Sequence, residues 1–303
     1  MPPENVPAVT PELPTRTWRA VLALMRFLPR ATLSRGFGQL ADVPLPPRLR
    51  APVLGTVVRA LGIDLSEAAR PLEDYSSIND LFVRPLKAGA RPIAPAEDSA
   101  IAPVDGVLGQ LGAARAGRAV QAKGRDYDLA ELLADQDQAR RFRDGVFVTL
   151  YLSPRHYHRI HAPTAGTVVR ARHVPGALWP VNEAAVRHRP DLFPRNERLI
   201  AYLDGPLGLV AVVAIGAYNV GRISAVFDED WRAPRWARNR REARGTERTY
   251  QPPPGVAKGD ELMAFHLGST VVLLFEPGVR LRSNLAPGDE VRLGSELAYR
   301  ISG

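Results

Sequence analysis

From about Ile101 to the C-terminus, the apolar residues come in short β-branched runs cut by Gly, Pro or Asp. Val146 to Tyr151, Thr167 to Val169, Leu209 to Ile215, Arg222 to Phe227, Thr270 to Phe275 and Val279 to Leu281 are of this kind. Runs this short, rich in Val and Ile and bounded by turn residues, suit strands better than helices. One helical stretch interrupts them, Leu129 to Arg143, with Leu129, Leu132, Leu133 and Phe142 as its apolar positions. The pattern predicts a mostly antiparallel β domain over residues 76–303. Three segments, APVDGVLGQLG, HAPTAGTVVRARHV and LAPGDEVRLGSELAY, share a Pro, a tight turn and an alternating tail. They resemble the hairpins of a barrel-sandwich hybrid, a likeness of fold that carries no function with it.

The N-terminal part reads differently. Residues 1–14 are proline-rich and acidic, with no basic leader and no cleavage site, and are read as a disordered tail that is not a secretory signal. Trp18, Val21, Leu22, Met25 and Leu28 recur at helical spacing, while Arg16, Arg19, Arg26 and Arg30 gather on the other side. A basic amphipathic helix over 15–30 suits a membrane interface, and equally a face packed on the chain's own core. A second helix is expected from Pro52 to Leu61, and a short capped one over Tyr75 to Phe82, where Ser77 and Asp80 stand three apart. Residues 15–75 thus form a helical region before the β domain, and the fold class is α+β.

Composition narrows the chemistry. With no cysteine among 303 residues, disulfides, thiolate metal sites and a cysteine nucleophile are excluded. The net charge of +8 points to an anionic partner, nucleic acid or a membrane surface, or to an Arg-rich bias alone. The longest uncharged run, Gly205 to Gly221, is short of the roughly 20 residues a spanning helix needs. It carries four glycines and reads as a buried strand or strand pair.

Three places offer reactive groups. His156, His158 and His161 lie within six residues. On an extended strand His156 and His158 share a face, so a metal-dependent hydrolase using the three is one reading. Asp105 precedes Gly106, an ordinary turn pair, and Ser269 follows Gly268 at the entry to a strand. No Gly-x-Ser-x-Gly elbow surrounds Ser269. Together, a carboxylate, a histidine and a serine are the parts of an activated-nucleophile system. A membrane-bound adaptor without catalysis is the third reading.

Seven blocks in order resemble the bacterial phosphatidylserine decarboxylases. They are Ser77 to Leu86, Ala102 to Gly106, Lys123 to Leu133, Tyr151 to Pro163, Gly176 to Asn182, Leu192 to Arg198, and Lys258 to Leu262 leading into Leu267-Gly268-Ser269-Thr270. His156 departs from the family pattern, which usually has Asp there. The Arg-rich segment from Trp231 to Tyr250 matches poorly and is read as a variable loop.

The resemblance implies two reactions. In the first, His161 is general base to Ser269, oriented by Asp105. The serine attacks the Gly268 carbonyl, and the chain divides into 1–268 and 269–303, the latter beginning with a pyruvoyl group made from Ser269. In the second, the pyruvoyl forms a Schiff base with phosphatidylserine, CO2 leaves, His158 protonates the carbanion and phosphatidylethanolamine is released. The cofactor is then the pyruvoyl, without metal or pyridoxal phosphate. The partners are the lipid substrate and an anionic membrane surface, not nucleic acid, and a homodimer is allowed. The enzyme is expected as a peripheral protein on the cytoplasmic side of the cell membrane.

Overall fold

The computed structural model describes residue 38 and residues 40–122, 125–181, 183–217, 223–232, 245–266 and 269–301. The predicted tail, the helix over 15–30, Lys123-Gly124, Asn182, Gly268 and most of the Arg-rich segment fall outside these residues. Among the described residues no helix is long and apolar enough to cross a membrane.

The first long helix, α1 (Pro47–Leu61), begins five residues before its expected start. Pro47 supplies a helical φ at a position whose N–H has no partner in any helix, so the proline cluster opens this helix instead of preceding it. Gly62, at φ 66°, closes it in the left-handed conformation, its N–H on the Val58 carbonyl. α2 (Ile78–Phe82) is capped as expected: the Ser77 hydroxyl accepts from Asp80 N–H at 3.0 Å. Leu54 of α1, Tyr75 and Leu81 of α2 form a small apolar cluster of their own.

The remaining helices are short. The stretch expected as one helix over 129–143 is two, α3 (Leu129–Leu133) and α4 (Gln136–Arg141). Ala134 turns left-handed at φ 50°, and the Asp135 carboxylate caps a new N-terminus by accepting from Asp137 and Gln138 N–H. Side-chain capping outcompetes helix continuation here. Three single-turn or near single-turn helices follow, α5 (Glu183–His188), α6 (Leu192–Arg195) and α7 (Glu229–Arg232).

Seventeen strands make up the rest of the described fold. In chain order they are β1 (Ser99–Ile101), β2 (Gly106–Ala113), β3 (Arg118–Ala122), β4 (Arg125–Asp128), β5 (Val146–Leu152), β6 (Arg159–His161), β7 (Gly166–Val174), β8 (Arg198–Gly205) and β9 (Gly208–Ile215). Then come β10 (Ile223–Ala225), β11 (Thr246–Thr249), β12 (Gly255–Val256), β13 (Glu261–Phe265), β14 (Ser269–Phe275), β15 (Val279–Leu281), β16 (Glu290–Val291) and β17 (Glu296–Arg300). The main sheet runs β11-β7-β8-β9-β14-β5-β2-β16, with β12 beside β7. A small sheet, β10-β13-β6, a second one, β1-β17-β15, and the β3-β4 hairpin complete it. Every ladder between these strands is antiparallel, which bears out the mostly antiparallel expectation.

β14 is the centre of this arrangement. All seven of its residues are buried, and it pairs on both sides, with β5 and with β9. A strand buried on both faces reads as a continuous apolar run, and Val271 to Phe275 is one. The uncharged run from Gly205 folds as the turn of a β8-β9 hairpin and then the buried strand β9.

Gly106, where β2 starts, lies so close to β5 that an added Cβ would stand 2.7 Å from the Tyr151 carbonyl oxygen. Gly106→Ala should therefore destabilise the fold by about 1–3 kcal/mol in urea unfolding. Gly255→Ala, with open space around it, should move the midpoint little. Equal effects at the two positions would contradict the packing described.

Candidate active site

Ser269 stands where the chain passes from one sheet to another. β13 ends at Phe265 in the small sheet, and β14 begins at Ser269 in the main one. Its neighbour across the ladder is Leu152, and Val107 of β2 is level with Tyr151 on the far side of β5. Asp105 and Ser269 are therefore at the same end of the main sheet, two strands apart. The segment that leaves β5 at this end carries the three histidines. Its strand β6 pairs with β13, and the Phe265 N–H donates to the His158 carbonyl at 2.9 Å. Topology alone thus gathers all the predicted residues with described positions at one edge.

Their contacts are more particular than a triad. The His161 backbone N–H donates to the Pro103 carbonyl at 2.8 Å, so it docks on the turn that holds Asp105. The Asp105 side chain, however, is bound elsewhere. Arg91 grips both carboxylate oxygens, at 2.8 and 2.6 Å, and the Leu293 N–H donates at 2.9 Å. Burial pushes the Asp105 carboxyl up, but Arg91 and Leu293 outweigh it and hold the group below the usual carboxylate range.

His161 Nδ1 meets the Gly259 carbonyl at 2.7 Å, and its Nε2 meets the Tyr157 hydroxyl at 3.0 Å. A carbonyl only accepts, so Nδ1 carries the proton and Nε2 presents its lone pair to Tyr157. Burial lowers the His161 pKa and keeps this neutral tautomer. Asp105 and His161 are therefore adjacent through the backbone but share no side-chain hydrogen bond.

His158 is fully buried, with its ring against Phe82 at 4.2 Å between centroids. Its Nδ1 donates to the His156 carbonyl at 2.8 Å, and Nε2 has no partner among the described residues. Burial depresses its pKa to about 3, so the ring is neutral at physiological pH. Ser269 is also fully buried, and its hydroxyl likewise has no partner among the described residues. Buried polar atoms are usually paired, and Ser269 Oγ and His158 Nε2 share their lack of a partner with several other buried side chains, Thr270 among them. These atoms fit a site in which Ser269 is chemically transformed.

His156 turns outward from this pair. Its Nδ1 accepts from the Ser153 N–H at 3.0 Å, and burial followed by the nearby Arg155 charge lowers its pKa. The three histidines therefore aim their ring nitrogens at three different protein partners. No group of three or more His, Asp or Glu assembles as a metal site among the described residues. The metal-hydrolase reading is not favoured, because a shared ion needs lone pairs that converge.

Sequence reading missed the partners of the named residues. Tyr157 on His161, Phe82 on His158 and Arg91 on Asp105 carry no periodic signal, since each contact is made by an irregular or distant segment. Tyr157 and Phe82 did lie inside segments singled out for their likeness to a family.

Comparison with known proteins is unambiguous. The family model for phosphatidylserine decarboxylase matches residues 78–299. The chain is 47% identical over 283 residues to a phosphatidylserine decarboxylase proenzyme of Anaeromyxobacter sp. (strain K), covering 92% of this chain and 98% of that protein. It is 40% identical over 277 residues to the proenzyme of that name from Myxococcus xanthus (strain DK1622), covering 91% and 96%. A third, from Acidovorax ebreus (strain TPSY), is 41% identical over 276 residues, covering 90% and 95%.

The depressed pKa of His158 makes a pH prediction. The unfolded chain binds a proton at this residue near pH 6.5 and the folded chain only near 3. The stability owed to the neutral ring is thus fully present above pH 6.5 and is lost as pH falls towards 3. In the Ser269→Ala background, which keeps the hydroxyl from reacting, unfolding free energy should drop between pH 7 and 5. The drop should exceed that of Ser269→Ala/His158→Gln by up to about 1.4 kcal/mol per pH unit. Parallel pH profiles for the two chains would contradict this.

Proposed function

This chain belongs to the phosphatidylserine decarboxylase family, and we propose that it cleaves itself before Ser269 and then converts phosphatidylserine to phosphatidylethanolamine. The observation that carries the reading to atoms is the orphaned pair, Ser269 Oγ and His158 Nε2, buried at the edge where the two sheets meet.

In maturation, Ser269 Oγ attacks the Gly268 carbonyl carbon while His161 Nε2 takes its proton. The Gly268–Ser269 C–N bond breaks, and the chain is joined through an ester. Loss of the Ser269 α-proton with cleavage of the Cβ–O bond releases 1–268 as a carboxylate and leaves a dehydroalanine. Water then replaces its nitrogen, ammonia leaves, and residues 269–303 begin with a pyruvoyl group. Gly259 holds His161 in the tautomer that accepts this proton, and Tyr157 caps the lone pair until Ser269 replaces it. Asp105 acts as a positioning residue: clamped by Arg91, it fixes the turn on which His161 docks.

The pyruvoyl group supplies an electrophilic carbonyl that binds the substrate amine and accepts the electron pair left when CO2 departs. His158 serves the proton. A ring held neutral takes a proton up before delivering it to the substrate α-carbon, and Phe82 shields that transfer from water. Each turnover takes one proton from solvent, since a carboxylate leaves as CO2 and a C–H bond replaces it.

The lipid reading also fits the N-terminal region. Leu40, Val43 and Leu49 are exposed, beside Arg48 and Arg50 on the first helix. Apolar side chains flanked by arginines suit the surface of an anionic leaflet, with each Arg near the surface contributing about 1 kcal/mol. The proposal places the enzyme as a peripheral protein on the cytoplasmic leaflet, held through residues 15–75. The β domain over 76–303 is the catalytic part, on a scaffold like a barrel-sandwich hybrid.

Ser269→Ala should abolish both cleavage, read on a denaturing gel, and CO2 release from phosphatidylserine. Either activity surviving would overturn the assignment. Deleting residues 1–30 should weaken sedimentation with anionic vesicles while cleavage still proceeds, the patch at Leu40, Val43 and Leu49 supplying the binding that remains. Unchanged sedimentation would place the membrane contact elsewhere.

A further inference from the structure

Arg84 is the anomaly of this site. Only 3% of its surface is exposed, yet its guanidinium meets no carboxylate among the described residues. Nη2 donates to the Arg155 carbonyl at 3.3 Å, while Nε and Nη1 have no partner. An unpaired buried cation is among the more costly features a fold can keep. Both nearby acids are engaged by others. Asp105 is bound by Arg91, and Asp64 accepts from the Ser66 N–H and hydroxyl.

Its place in the fold is at the reaction centre. Arg84 leaves the C-terminal end of α2, two residues after Phe82, whose ring packs on His158. The preceding carbonyl, Val83, accepts from Arg159 Nε at 2.8 Å, which fastens this end of α2 to the histidine segment. Arg84 itself reaches the carbonyl of Arg155, one residue before the His156 carbonyl that holds His158 Nδ1. Its charge is felt at His158, His156, Tyr157 and Asp105. Two donor atoms of one guanidinium and the lone pair of His158 are therefore left unpaired in one neighbourhood.

Resting on the reading above, we infer that Arg84 is the anion-binding residue of the substrate site and takes the phosphodiester of the lipid headgroup. A buried guanidinium with N–H donors left unpaired suits a phosphate oxygen, an anion that a guanidinium binds through strong charge-assisted hydrogen bonds. The substrate's other anion, the carboxylate, is the worse occupant. A cation clamped on it would stabilise the ground state and oppose loss of CO2. Its neighbourhood is better supplied by neutral His158 and the Phe82 ring. Arg84 is thus unpaired in the free protein because its partner arrives with the substrate. A group kept for binding at a cost in stability has a signature: its replacement by an apolar residue of similar length weakens binding without weakening the fold.

The test uses wild-type protein, Arg84→Met and Arg84→Lys. Binding of glycerophosphoethanolamine, the soluble phosphodiester headgroup without a carboxylate, is followed by phosphorus NMR, with inorganic phosphate as a second probe. Phosphatidylserine turnover and its inhibition by phosphatidylethanolamine are measured in mixed micelles. Arg84→Met should weaken glycerophosphoethanolamine binding, and raise KM and the product inhibition constant, by about tenfold or more. Its urea midpoint should stay at or above wild type, and Arg84→Lys should recover part of the binding. Unchanged headgroup binding would overturn the inference. So would a fall in kcat with unchanged product inhibition, which would put the carboxylate at Arg84. A lowered urea midpoint with unchanged KM would make Arg84 structural, and tighter binding of inorganic phosphate than of the headgroup would make the site one for free phosphate. Wild-type protein that binds the headgroup but neither self-cleaves nor releases CO2 would sink the decarboxylase reading and leave this one standing.

Discussion

The structure depends on the double ladder that grips β14. Pairing runs from Ser269 to Phe275 against β5 and from Thr270 to Phe275 against β9, and every side chain is buried. Each of the five apolar residues from Val271 to Phe275 contributes about 1.5–3 kcal/mol by its burial alone. Residues after β14 add β17 beside β1, β15 beside β17, and β16 beside β2. A chain cut before Ser269 would therefore keep its new terminus in place. The strand is held by neighbours on both sides and owes little to the peptide bond preceding it. That is what a protein needs if it is to make a reactive group from its own backbone and then use it.

Burial does the electrostatic work of the site. It keeps His158 and His161 neutral, and backbone carbonyls of His156 and Gly259 fix which nitrogen bears the proton in each. Charge is confined to the periphery of this pair. Asp105 is neutralised by Arg91, which also pairs with Glu67, and Arg159 pairs with Glu261. Arg84 is the exception, a cation inside the ring of paired charges with no anion of its own among the described residues.

Much of this was legible in the chain, for reasons that differ by element. The strands were legible because β14 and β9 are buried on both faces and must be apolar throughout. Ser77 announced α2 because capping is local chemistry. Asp135 was misread for the complementary reason: a cap in mid-stretch looks like any polar residue on a helix surface, and only the turn at Ala134 reveals it. The candidate residues were found through family likeness, since Asp105, His161 and Ser269 are 56 and 108 positions apart along the chain and no spacing rule connects them. What surrounds them could not be read. Arg91 meets Asp105 across 14 residues of chain that include β1, and Arg84 looks like any other arginine until its burial is known.

The central claim is that the backbone breaks before Ser269 and the two pieces stay together. It is tested most directly by weighing purified wild-type protein twice, under denaturing and under native conditions. The account predicts two denatured species, matching 1–268 and 269–303, the smaller without a free amine and with its serine converted to pyruvoyl. Under native conditions the two should travel as one particle. A single intact chain of 303 residues in the denatured sample would contradict it.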